Sequence, residues 1–124
     1  MKALTLSSFT SPPTISSKPI PSLTPGSLIV KPLSTSVLGY AKEVYQTRQR
    51  PYPMPLPLTI GSSAVARVHS VGPDATLLKE GQLVLVDSFI KARDDPGTQF
   101  LFGLHEGGTE GSRKLMGEVW RDST

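Results

Sequence analysis

The chain has 124 residues, with 13 Lys and Arg against 10 Asp and Glu, a net charge of +3 and no cysteine. That length supports one domain with a modest core. The missing cysteines exclude disulfides, thiolate metal sites and cysteine nucleophiles, and the scattered basic residues do not form the stripe with stacking aromatics that a nucleic-acid surface needs.

With 12 Pro and 11 Gly, long helices are not expected and turns are. The expected class is mainly β, with short helical turns and irregular loops. No apolar run approaches the length of a membrane span, and the N-terminus lacks the apolar segment of a secretory signal. The first acidic residue is Glu43, and Ser and Thr are abundant before it. Such a segment suits a transit peptide. The lack of Arg before Arg48 favours strands instead, and with them a cytoplasmic chain.

In chain order, Lys2–Leu6 alternates weakly and reads as a first strand. Residues 7–25 are rich in Ser, Thr and Pro. They read as a loop, or as short edge strands around Ile15 and Ile20, since proline is tolerated at edges. Thr24-Pro25-Gly26 is a turn signal. Residues 27–33 (SLIVKPL) form a better strand, with Pro32 limiting its pairing. Ala41-Lys42-Glu43-Val44 is the best short helix. Pro51, Pro53, Pro55 and Pro57 then occupy every second position, a run that cannot supply a ladder and reads as an extended loop. It lacks the PxxP spacing of an SH3-type ligand.

Ala64–Val71 is the clearest strand, with Ala66 and Val68 on one face and Arg67 and His69 on the other. Gly61 opens this unit, where a side chain is expected to block close backbone approach. Gly72-Pro73-Asp74 and Glu80-Gly81 are turns. The apolar run Leu83–Val86 fits a buried strand, which residues 87–90 extend. Residues 92–97 (ARDDPG) are a turn and Phe100-Leu101-Phe102 a short strand. Residues 105–112 (HEGGTEGS) read as loop. Leu115, Met116, Val119 and Trp120 suit one helical turn or a buried plug.

The order Pro57, Gly61, Val68, Val71, Gly72, Gly81 and Val84 resembles the N-terminal domain of the medium-chain dehydrogenase/reductases, the alcohol dehydrogenase and quinone reductase superfamily. The opening Met1-Lys2-Ala3-Leu4 and the segment Val37-Leu38-Gly39 extend the resemblance over most of the chain. It implies a GroES-like, partly open barrel spanning residues 1–124 as a single domain, with a loosely held tail from about residue 105. It also implies an apolar face toward a cofactor domain, with Leu38, Tyr40 and Trp120 as its candidates.

In zinc members of that family, a Cys precedes a Gly in the segment matching Val37–Ala41, and a His and a Glu follow the strand-opening Gly. Those positions here are Leu38, Ser62 and Ser63, none of which replaces thiolate or imidazole. No zinc site is expected. Quinone-reductase-like members reduce carbonyls without metal, by orienting substrate in a cleft. The resemblance therefore implies a substrate cleft at Leu38, Gly39, Tyr40, Ser62 and Ser63. Tyr40 is the candidate hydroxyl donor to a carbonyl, against the reading of an amphipathic ring packed at an edge. Ser62 and Ser63 equally suit backbone capping in a turn.

No GxGxxG occurs, and Gly107-Gly108-Thr109-Glu110-Gly111 has the wrong spacing. No cofactor is expected to bind this chain alone, although NAD(P)H is implied for the family architecture. The expectation is the substrate-side domain of a zinc-independent NAD(P)H oxidoreductase, truncated before the Rossmann domain and inactive alone, with a carbonyl or alcohol as substrate. The alternative is a non-catalytic truncated paralogue or interaction module, in a homo- or hetero-oligomer. His69, His105-Glu106 and Asp94-Asp95 read as surface or turn residues, since a metal site needs several converging donors.

Overall fold

The structure is a computed structural model, and it describes residues 1–117. Its elements are β1 (Lys2–Leu6), β2 (Thr14–Ser17), β3 (Leu28–Thr35), α1 (Ala41–Tyr45), β4 (Leu58–Thr59), β5 (Ala64–Val71), β6 (Leu83–Val86), β7 (Phe89–Lys91), β8 (Gln99–Leu101) and α2 (Glu110–Leu115). Strands dominate and helices are short, as the proline and glycine content requires. The strands form three separate antiparallel sheets, ordered β2-β1-β4, β3-β5-β6 and β7-β8. The described strands do not close into one barrel, so the architecture is the partly open, mainly-β one expected.

The core lies among β1, α1, the proline-rich segment, β8 and α2. Leu6, Val44, Tyr45, Met54, Leu58, Phe100, Leu104 and Met116 form one buried cluster. The prolines supply part of it in a way their residue type conceals. Tyr52, Leu56 and Ile60 pack against the cluster and Met54 and Leu58 belong to it, while Pro51, Pro53 and Pro57 are exposed. A period-two extended chain sends alternate side chains to opposite sides. Here the side lacking proline faces inward, so the expected loop is also a wall of the core.

The sequence locates most elements, with corrections. Thr14–Ser17 is an edge strand around Ile15, but Ile20, set between Pro19 and Pro21, is outside any strand. Leu83–Val86 is not a buried strand: Leu83 is 59% exposed and Leu85 75%. It lies at the end of its sheet, and its outer face lacks a covering layer among the described residues. Residues 87–90 do not prolong it; Phe89–Lys91 instead pairs with Gln99–Leu101.

Residues 105–112 are not all loop, because α2 starts at Glu110. The Thr109 hydroxyl accepts from the Ser112 amide at 3.1 Å, capping the helix. Fully buried Ser112 accepts from the Gln99 amide at 3.1 Å, tying α2 to β8. Ser112 and Met116 are buried, so the expected loose tail is packed at least that far. Val119 and Trp120 lie outside the described residues.

Candidate functional site

The candidate cleft residues come from two segments, one between β3 and α1 and one between β4 and β5. Hydroxyl groups join the two. The Ser36 and Ser63 hydroxyls share a hydrogen bond of 2.9 Å, and the Thr35 hydroxyl donates to the Ser63 carbonyl at 2.8 Å. Ser36 is a participant that sequence reasoning missed. Its one signal was membership of the Ser- and Thr-rich stretch preceding Val37, which could not show a partner so distant in sequence.

Leu38 and Tyr40 pack, half-buried, against the core cluster. Tyr40 occupies the N-cap position of α1, with φ −101° and ψ 16°, and does not cap the helix with its side chain. The Arg50 guanidinium carbon lies 4.6 Å from the centre of its ring. That guanidinium is held by Glu43 at 2.6 Å, which pushes the Arg50 pKa up from its ordinary value. Cation and ring together make one edge of the segment. Gly39 is exposed, and a side chain there would meet open space. Ser62 is buried, at 4% exposed.

Behind Ser62 the backbone is pinned by a glycine pair. Gly61 has φ +125°, a region that L side chains rarely adopt, yet a Cβ there would meet no atom. The close approach expected at Gly61 belongs to Gly103, where a Cβ would run into the Gly61 carbonyl. The Tyr45 hydroxyl donates to the Gly103 carbonyl at 2.8 Å. Burial raises the Tyr45 pKa above its ordinary value, so this phenol stays protonated and keeps donating. The segment carrying Ser62 and Ser63 therefore rests on the core through Gly103 and Tyr45.

Zinc does not fit this donor set. Leu38 carries no donor atom, and the Ser63 hydroxyl is already paired with Ser36. Among the described residues, no three of His, Asp and Glu converge on a point. His105 is used structurally: Nδ1 accepts from the Gly107 amide at 2.8 Å, and its ring meets Tyr52 edge-on at 5.9 Å. Asp95 accepts from Gly97 and from the Thr98 hydroxyl, which lowers its pKa in a turn role. A dinucleotide does not fit either. The paired strands are antiparallel, with no βαβ unit among the described residues, and α2 begins at a capped Thr rather than a phosphate-binding glycine turn.

Two surface concavities occur elsewhere. One, of about 180 Å³, is lined by Pro55, Glu106, Arg113, Met116 and Gly117. The other, of about 280 Å³, is lined by Phe9, Thr10, Ser11, Pro12 and Gln46. Neither touches Leu38, Gly39, Tyr40, Ser62 or Ser63. No described helix is long and apolar enough to cross a membrane.

No curated protein matches the chain. The family model of the alcohol dehydrogenase GroES-like domain matches residues 24–113. That span runs from the turn before β3 into α2 and includes both segments that carry the candidate residues. On that match the chain belongs to the alcohol dehydrogenase GroES-like domain family, the N-terminal domain of the medium-chain dehydrogenase/reductases.

Proposed function

We propose that this chain is the substrate-side domain of a zinc-independent oxidoreductase acting on a small carbonyl or alcohol. The observation that carries the reading is the hydroxyl clasp between Ser36 and Ser63. It joins the two segments that hold substrate in this family, at positions whose side chains do not coordinate metal. In this reading Leu38 and the Tyr40 ring exclude water, and the Tyr40 or Ser62 hydroxyl donates to the carbonyl oxygen. A nicotinamide bound by a partner domain would supply the redox chemistry. The chain's own residues bind and orient the carbonyl.

Nuclear magnetic resonance with a small ketone such as cyclohexanone tests this. Shifts are expected to cluster at Leu38, Gly39, Tyr40, Ser62 and Ser63, and to weaken in Tyr40→Phe. No saturable binding of NADPH is expected from the chain alone. Shifts confined to other surfaces, or about one zinc retained per chain after purification, overturn the reading. A second reading, a non-catalytic interaction module, is favoured by the open edge of β6.

A further inference from the structure

The sheet β3-β5-β6 has two ends, and they are built differently. β3 carries Lys31 and Pro32 and two register shifts against β5. Charge, proline, bulges and shortness are the devices that keep a strand edge from recruiting another strand. β6 is short, at four residues, but between Leu83 and Val86 it has no charge, no proline and no bulge. It reads Leu83-Val84-Leu85-Val86, and its register with β5 is unbroken from Ala64 opposite Val86 to Arg67 opposite Leu83.

Backbone alternation shows what this edge offers. The Val68 amide donates to the Gln82 carbonyl at 2.9 Å. Counting along the antiparallel pair, Ala66 with Val84 and Ala64 with Val86 are then the hydrogen-bonded pairs. The amides and carbonyls of Leu83 and Leu85 therefore face away from β5, toward an edge with no further strand among the described residues. The side chains of Leu83 and Leu85 lie on the open face of the sheet, together with half-exposed Val65 opposite Leu85.

We propose that β6 pairs with β6 of a second copy of this chain, antiparallel, with Val84 on the two-fold axis. Leu83 then sits opposite Leu85 of the second copy and exchanges both backbone hydrogen bonds with it. Four leucines meet on one face, and two three-stranded sheets join into one. A register shifted by one residue would set the open face of one copy beside the inward face of the other. The strand suits itself rather than an acidic stranger. It carries no charge, and the nearby Arg67 guanidinium donates to its own chain's Gly81 carbonyl at 2.6 Å. The two Arg67 residues would stand three strand spacings apart, about 14 Å, which is beyond the screening length of about 8 Å. This pairing is independent of what the cleft binds.

The absence of cysteine makes the test direct. Val84→Cys would place two thiols at a non-hydrogen-bonded antiparallel position, with Cα atoms about 4.5 Å apart, within disulfide reach. Oxidation is expected to give a covalent dimer, whereas Leu78→Cys, off the strand, stays monomeric. Sedimentation of the unaltered chain between about 1 and about 200 µM, a range bracketing weak association, is expected to show a reversible dimer. Leu85→Lys should weaken it at least about tenfold. Leu85→Thr, a strand-compatible second variant, should weaken it less, and Leu77→Lys, at an 87% exposed leucine off the sheet, should leave it unchanged. A monomer throughout that range, a dimer indifferent to Leu85→Lys, or equal loss in Leu77→Lys overturns the proposal.

Discussion

The cluster around Phe100 and the sheet β3-β5-β6 belong to one chain but are held together by different means. Around Phe100, side chains from both ends of the chain meet: Leu6 from β1, Val44 and Tyr45 from α1, Met54 and Leu58 from the proline segment, Met116 beyond α2. The sheet contributes no residue to that cluster. Its buried apolar side chains are the small Ala66 and Val68, and backbone ladders link its strands. Side-chain volume lost from the first region leaves a cavity, whereas the second depends on main-chain pairing that most substitutions leave intact.

The largest effect that would sharpen this contrast is Phe100→Ala, expected to cost about 3–5 kcal/mol in denaturant unfolding, since the ring is 1% exposed. A loss below about 1 kcal/mol would erase the distinction between the regions. Smaller is Tyr45→Phe, which orphans the Gly103 carbonyl and is expected to cost about 1–2 kcal/mol. If the pinning argument holds, that variant also shifts the backbone resonances of Gly61 and Ser62. Unmoved resonances would show that the Gly61–Ser62 segment stands without the core.

The smallest effect concerns an exposed tie on the sheet's periphery. The Asp74 carboxylate accepts from the Gly26 amide at 2.7 Å and pairs with Arg93 at 2.8 Å. First the amide and then the guanidinium hold its pKa below the ordinary 3.8. For an acid depressed in this way, the tie is complete above the ordinary value and is lost as pH falls through the lower folded one. The Gly26 amide resonance is expected to titrate with Asp74 at a pH below the ordinary 3.8, and to stop doing so in Asp74→Asn. The core resonances should stay still throughout. A titration that moved the Phe100 region instead would join the two regions that the packing separates.

The more legible region is the one that adds less to the core. Ala64–Val71 could be read directly because one face is buried and the other wet, which writes period two into the residues. Leu83–Val86 misled for the same reason. An all-apolar run ordinarily means burial on both faces, and the sequence does not record that no described strand lies beyond it. The inward period of Tyr52, Met54 and Leu56 was hidden by prolines, which argue against ladders and are silent about burial. At α2, three glycines (Gly107, Gly108 and Gly111) masked Thr109 as a cap. The candidate site was legible only as positions, Leu38 and Ser62 with Ser63. The bond from Ser36, and the contact of Gly103 with Gly61, join residues far apart in sequence by backbone geometry that no local pattern encodes.

The proline comb has a thermodynamic consequence. Tyr52, Met54 and Leu56 each precede a proline, and a residue in that position is already kept out of the helical region and close to extended before folding begins. The disordered chain therefore has fewer shapes to surrender there than an ordinary segment would. Three of the side chains that reach the core are delivered by a stretch that is stiff from the outset.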